Sequence, residues 1–87
     1  MIKLVKIDIA GPDCLTLTFS DGSIARWCAR EIIARNTELT RPLADPTYFA
    51  RAFIESGALA WPNGLELAPW ALYRQLDEAG LLIRKAA

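Results

Sequence analysis

The feature that most constrains the fold is a strict alternation of apolar and polar residues that ends in a turn signal. Leucine and phenylalanine alternate with threonine and serine over residues 15–20, and Asp21-Gly22 follows. An apolar period of two predicts a half-buried β-strand, and an Asp-Gly pair after such a strand predicts a hairpin. We therefore expect an antiparallel sheet near the N-terminus of the chain.

Two registers of this hairpin compete. A two-residue loop at Asp21-Gly22 places Leu17 opposite Arg26, which puts a charge on the apolar face. A three-residue loop over residues 20–22, with its glycine in the left-handed conformation, places Leu17 opposite Ala25 instead. We favour the three-residue loop because it keeps the large apolar side chains on one face of the sheet.

The favoured register also sets Leu15 opposite Trp27 and Cys14 opposite Cys28. A disulfide between the two cysteines is geometrically possible if they form a non-hydrogen-bonded pair. Two cysteines are nevertheless too few for a disulfide scaffold, and a cytoplasmic location favours reduced thiols. We therefore expect free, partly buried thiols at both positions.

Periodicity and turn residues predict the remaining elements. In chain order they are a strand over residues 3–9, a short amphipathic helix over 28–35, a short helix beginning at Asp45-Pro46, a second hairpin turning at Ser56-Gly57, a turn at Trp61-Pro62-Asn63-Gly64, and a last helix from Pro69 to Gly80. The order predicts an α+β fold, with an antiparallel sheet of about five strands built from two hairpins plus the N-terminal strand, and two or three short helices. With 87 residues the chain is expected to form one domain, over residues 1–87.

The charged residues exclude several classes of function. Ten Lys plus Arg balance ten Asp plus Glu, so nothing in the net charge favours nucleic acid or an anionic membrane as a partner. The sequence contains no histidine, which excludes a Ser-His or Cys-His nucleophile and a His-ligated metal site. We expect a protein that is not an enzyme and that uses no cofactor and no metal.

The N-terminal segment bears on the location of the protein. Charges at Lys3, Lys6 and Asp8 interrupt its apolar residues, whereas a signal peptide has an unbroken apolar core. The sequence also lacks the roughly 18 to 20 continuous apolar residues of a membrane span. We therefore expect a cytoplasmic location.

Several motifs in the second half of the chain are specific in combination. They are Pro42-Leu43-Ala44-Asp45-Pro46, Phe49, Gly57, Trp61-Pro62-Asn63-Gly64, Glu66-Leu67-Ala68-Pro69 and Leu72-Tyr73. In these motifs, and in the hairpin at residues 19–23, the chain resembles a small bacterial family called domain of unknown function 2442. The resemblance runs from the first strand to about Tyr73. It implies the α+β fold, and no catalytic activity or catalytic residue is established for the family.

The resemblance also bears on partners. Some members of the family are encoded beside a small partner protein and are classed as candidate antitoxins of toxin-antitoxin pairs, and others are fused to a helix-turn-helix segment. This chain departs from the usual pattern at three positions. Cys28 stands where an Asp commonly ends the third strand, Glu31 where a Pro often opens the next helix, and Trp70 where an acidic residue is usual.

The candidate binding residues lie around the second turn and the start of the last helix: Trp61, Asn63, Glu66, Trp70 and Tyr73. An amide, a carboxylate and a phenol beside an indole would form a polar pocket for a small ligand or for a side chain of a partner. The structural alternative makes Trp61 a core residue and Asn63 a turn residue, with Glu66 complementing the helix N-terminus and Tyr73 packing beneath the helix. An exposed Trp70 would be an interaction hot spot.

Two functions remain open. The first is a non-catalytic protein-interaction module, which includes an antitoxin-like partner of a small neighbouring protein and self-association. It predicts an exposed apolar patch that includes Trp70 or residues 81–83. The alternative is a regulatory domain that binds a small ligand in the region of Trp61-Pro62-Asn63-Gly64. Arginines at positions 26, 30, 35 and 41 give only a small local surplus of positive charge, which is typical of a solvated face.

Overall fold

The computed structural model of the protein describes residues 1–84. The elements, in chain order, are β1 (Leu4–Ile9), β2 (Cys14–Phe19), β3 (Ile24–Cys28), α1 (Arg30–Ala34), a 3₁₀ turn (Arg41–Ala44), α2 (Pro46–Phe49), β4 (Phe53–Glu55), β5 (Ala58–Ala60), β6 (Glu66–Leu67) and α3 (Pro69–Glu78). This composition confirms the α+β class. No helix within residues 1–84 is long and apolar enough to cross a membrane.

The strands form two antiparallel sheets, so the prediction of a single sheet of about five strands is wrong. One sheet has the order β1-β2-β3 and the other the order β4-β5-β6. Within residues 1–84, Leu4 N–H donates to the carbonyl of Gly57 (2.8 Å), and β1 and β4 form no further ladder. The pairing of β1 with β2 has a register irregularity between Leu4 and Lys6, next to that contact. The second hairpin belongs to a separate sheet, in which β5 also pairs with β6.

The first hairpin has the three-residue loop that the sequence favours. Leu15 lies opposite Trp27 and Leu17 lies opposite Ala25. The loop closes with a hydrogen bond from Gly22 N–H to the carbonyl of Phe19 (2.9 Å), and the glycine has a φ of 88°. The register is confirmed, and it directs the large apolar side chains of both strands into the core.

The expectation of free thiols is wrong, because Cys14 and Cys28 form a disulfide across this hairpin. Their Cα atoms are 4.0 Å apart. The neighbouring pair is hydrogen-bonded, since Ala29 N–H donates to the carbonyl of Asp13 (2.8 Å). Residues 14 and 28 are therefore a non-hydrogen-bonded pair, in which side chains approach most closely. The expectation followed from the inferred compartment, whereas the register alone brings the two sulfur atoms within bonding distance.

An aromatic cluster joins the two sheets at the centre of the core. The Trp61 side chain is 1% exposed, and its indole N–H donates to the carbonyl of Phe49 (3.0 Å). Its ring centroid lies 5.8 Å from that of Phe49 and 6.3 Å from that of Trp27. Aliphatic side chains from both sheets, from the 3₁₀ turn and from α3 belong to the same core, among them Leu15, Leu17, Leu43, Leu59 and Leu72.

The helix ends follow the capping residues that the sequence predicts. Asp45 caps α2, because its Oδ1 accepts the N–H of Thr47 (3.0 Å). Gly80 ends α3 with a φ of 72°, and Leu81 N–H then donates back to the carbonyl of Leu76 (2.9 Å). This six-to-one bond is the C-terminal arrangement that a left-handed glycine permits. It turns the chain from α3 back toward the first sheet.

Replacing Gly57 with alanine should lower the free energy of unfolding by about 2 kcal/mol. Gly57 has a φ of 83°, and a Cβ built there would lie 2.8 Å from the Cβ of Lys3. Gly64→Ala is the matched control: its φ is 94° but nothing lies within 4 Å of the added Cβ. We expect the control to lower the free energy of unfolding by about 1 kcal/mol, because it adds only the backbone strain of a left-handed alanine and no steric contact. Urea unfolding measures both changes, and equal losses would contradict the contact between the Gly57 turn and β1.

Candidate functional site

The structure places the five candidate residues in different surroundings, from the buried core to the exposed surface. Trp61 is fully buried and packs within the aromatic cluster. Asn63 is occupied by internal hydrogen bonds: its Nδ2 donates to the carbonyl of Leu39 (3.0 Å), and its Oδ1 accepts the N–H of Leu65 (3.1 Å). Its backbone N–H donates to the hydroxyl of Tyr48 (3.0 Å). These contacts attach the turn to α2 and to the loop that contains Leu39, two partners that the sequence did not predict.

Glu66 and Trp70 are both exposed at the surface. Glu66 lies in β6 opposite Ala60, with its side chain exposed. Trp70 is 59% exposed in the first turn of α3, as expected for a residue that could contact a partner. The guanidinium of Arg74, one turn further along, lies 5.6 Å from the Trp70 ring centroid. A cation over the indole face covers part of the apolar surface of Trp70 in the free protein.

Tyr73 links α3 to the first hairpin. Its ring meets that of Phe19 edge to face, with centroids 5.2 Å apart, and its hydroxyl donates to Oδ2 of Asp21 (2.7 Å). The Asp21 Oδ1 accepts the N–H of Ser23 (2.9 Å). These two hydrogen bonds lower the pKa of the Asp21 carboxyl below its ordinary value. The bond from the Tyr73 hydroxyl has the largest effect and the bond from the Ser23 N–H the next largest. The Asp21–Tyr73 contact attaches the middle of α3 to the hairpin turn.

The Asp21–Tyr73 contact should make the free energy of unfolding depend on pH in the acidic range. A carboxyl with a lowered pKa stabilises the folded state at pH values above its ordinary pKa of 3.8, and that stabilisation is lost as the pH falls through the lower folded value. Tyr73→Phe removes the donor. We expect it to lower the free energy of unfolding at pH 7 by about 0.5–1 kcal/mol and to weaken the decline of stability below pH 4. Urea unfolding from pH 2 to 7 measures both, and an unchanged acid dependence in the variant would contradict this role of Tyr73.

A groove of about 490 Å³ opens between α1 and the end of β3 on one side and α3 on the other. We call it the α1–α3 groove. Its apolar floor and walls include Trp27, Ile32, Ala71, Leu72, Leu76 and Leu81. Its polar rim consists of Arg26, Arg30, Glu31, Arg35 and Gln75. None of the five candidate residues lines it.

The rim of the groove is positively charged. The rim carries three arginines and one carboxylate, that of Glu31, which accepts a long hydrogen bond from Gln75 Nε2 (3.4 Å). Arg30 contacts Asp13, with Nε 3.4 Å from Oδ2, and both Arg26 and Arg35 lack an ion pair within residues 1–84. An apolar floor with a cationic rim suits a ligand that combines apolar groups with carboxylates.

Sequence reasoning missed this groove although its signals were visible. The surplus of arginines at positions 26, 30 and 35 is typical of a solvated face, yet these residues gather along one rim. On α3 and at its two ends, small residues at Ala71, Ala68 and Ala79 lie beside the large apolar residues and leave space that a larger side chain would fill. Spacing along a helix predicts which face is apolar but not whether another element covers it.

The fold and the groove together define a small α+β domain with an open, cation-rimmed apolar site. Over residues 5–78 the chain matches the model of one family, described as "Protein of unknown function (DUF2442)". The match covers most of the chain, so the protein belongs to this family, as the motifs around Trp61 predicted. Searches of the curated proteins and of the solved structures found no match to the chain.

Proposed function

We propose that the protein is a non-catalytic protein-interaction module that binds a partner in the α1–α3 groove. The observation that carries the proposal is the apolar floor of the groove, where Leu81 is 54% exposed beside Ile32 and Ala71. Exposed apolar area of this kind is favourably covered by a partner surface. The family resemblance suggests one form of such a module, an antitoxin-like protein that covers a small neighbouring protein.

The chemical groups around the groove support a binding role over catalysis. They are guanidinium groups, one carboxylate and one amide, and Cys28 is joined to Cys14. None of these is a nucleophile with a base partner. The protein has no histidine to supply such a base. The Trp61 turn offers less to a small ligand, because the indole N–H of Trp61 and the side-chain amide of Asn63 already form internal hydrogen bonds.

A matched pair of variants tests the proposal. Ala71→Arg fills the groove, whereas Ala50→Arg adds the same side chain to the exposed end of α2, outside it. The tagged full-length proteins are used to capture partners from a lysate of the source cells, with mass spectrometry and light scattering to give identity and stoichiometry. We expect a stoichiometric partner that binds the wild type and Ala50→Arg and is lost with Ala71→Arg.

The outcomes separate the two candidate surfaces. If Trp70 anchors the partner instead, Trp70→Ala should weaken binding by about 2 kcal/mol while Ala71→Arg has no effect, and the groove is then the wrong site. A partner that all the variants retain would contradict both surfaces. The absence of any stoichiometric partner, including a second copy of the chain, would contradict the interaction module itself.

A further inference from the structure

The outer edge of β3 is only partly paired. Because Ala29 and Asp13 form a hydrogen-bonded pair across the first hairpin, the alternation of the ladder makes residues 28 and 26 non-hydrogen-bonded with β2. The N–H and C=O groups of Arg26 and Cys28 therefore point away from β2. Within residues 1–84 no strand pairs with them. Both residues line the α1–α3 groove, so this free edge opens into it.

At Ile24 the same edge already forms one antiparallel β-bridge, with Ile83. Its N–H donates to the carbonyl of Ile83 (2.9 Å), and its carbonyl accepts the N–H of Ile83 (2.8 Å). If this antiparallel register continued, Leu81 would lie opposite Arg26. Leu81 follows closely after the end of α3, and within residues 1–84 it forms no second bridge with β3. The ladder along β3 stops where the groove begins.

A strand in the groove would meet different chemistry on its two sides. Side chains alternate along a strand, so every second residue of the added segment would lie on the side of Trp27, above the apolar floor. The residues between them would lie on the side of Arg26. Arg26 and Arg35 have no ion pair within residues 1–84, and carboxylates are the groups that complement them.

We propose that the groove binds an extended segment of a partner protein, which pairs with β3 at Arg26 and Cys28 and alternates apolar residues with aspartate or glutamate. This inference rests on the proposed function, because it names the chemistry of the partner for the same groove. The mode is β-strand addition: main-chain hydrogen bonds give affinity, and alternate side chains give specificity.

A random dodecapeptide library displayed on phage, selected against the immobilised full-length protein, tests the chemistry of the segment. We expect the enriched peptides to alternate apolar and acidic residues. Arg26→Glu should weaken their binding about tenfold at low ionic strength, and added salt should reduce the difference. The matched control is Arg51→Glu, which makes the same change of net charge outside the groove. Its binding should be unchanged.

Amide hydrogen exchange measured by NMR tests the pairing itself. On binding of an enriched peptide, the exchange rates of the amide protons of Arg26 and Cys28 should fall by a factor of about ten or more. Those of Ala25 and Trp27 serve as references, since they already face β2. Enriched peptides without acidic residues, binding that Arg26→Glu leaves unchanged, no slowing at Arg26 and Cys28, or no enrichment at all would each overturn the inference.

The groove as the interaction surface and the extended acidic segment as its ligand can be rejected independently of each other. If Ala71→Arg abolishes capture of the cellular partner while the library and exchange experiments fail, the groove remains the interaction surface. Only the extended acidic segment is then rejected. If Ala71→Arg has no effect on capture of the partner, the proposed function has failed at this site whatever peptides bind.

Discussion

Replacing Trp61 with alanine lowers the free energy of unfolding by about 4 kcal/mol, the largest loss that we expect from one substitution in this chain. The indole is buried between Phe49 and Trp27, where it joins the two sheets. Its removal leaves a cavity, and the carbonyl of Phe49 loses the donor that satisfies it. Because domains of this size have total stabilities of about 5–15 kcal/mol, the variant should be close to unfolded at 37 °C.

Two further variants keep this prediction testable if Trp61→Ala does not fold. Trp61→Phe retains most of the ring volume and removes the N–H donor, so we expect an intermediate loss of about 2 kcal/mol. Trp70→Ala changes the same residue type at an exposed position, and its effect should stay within about 0.5 kcal/mol. Urea unfolding followed by circular dichroism gives all three values. Similar losses at positions 61 and 70 would contradict the central position of Trp61 in the core.

Reducing the disulfide between Cys14 and Cys28 lowers the free energy of unfolding by about 3 kcal/mol. The bond closes a loop with a sequence separation of 14 residues, and a loop of about 15 residues restricts the unfolded chain by this amount in the chain-entropy model. The hairpin register holds the two residues together in the folded state, so the fold should persist after reduction at a lower stability. Unfolding in urea with and without dithiothreitol measures the difference.

The variant with serine at both positions 14 and 28 is the control for reduction. Its stability should match that of the reduced wild type to within about 0.5 kcal/mol and should not respond to dithiothreitol. The mass of the purified wild type, taken with and without thiol alkylation, reports the oxidation state directly. Two alkylated cysteines in protein purified without reductant, together with no response of stability to dithiothreitol, would contradict the bond.

The parts of the fold that could be predicted from the sequence are those set by neighbouring residues. The first hairpin is one of them, because the alternation before Asp21 leaves only one register that keeps charge off the apolar face. The end of α3 at Gly80 is another, since it needs only a left-handed residue. The split into two sheets depends on a strand of two residues, Glu66 and Leu67, and two residues carry no measurable period.

The candidate site was less accessible to sequence reasoning for a related reason. Trp61 and Asn63 belong to a turn, and the same residues could serve either the fold or a binding site. Only the contacts that the two side chains form distinguish these alternatives. The α1–α3 groove joins residues 26–35 to residues 67–81, and its shape depends on how far α1 stands from α3. Apolar spacing does not encode that separation. Cys28 and Glu31, two of the positions at which this chain departs from the usual family pattern, lie in this groove.

The most direct test of the binding surface is photo-crosslinking in the source cells. A benzophenone-bearing amino acid is introduced singly at Ala71 in the groove, at Ala50 outside it, and at Trp70 on the neighbouring face of α3. The account predicts a stoichiometric crosslink to one partner protein from position 71 and none from position 50. Crosslinks from position 70 or 50 without one from position 71, or no crosslink from any of the three, would contradict the claim that the α1–α3 groove is the binding surface.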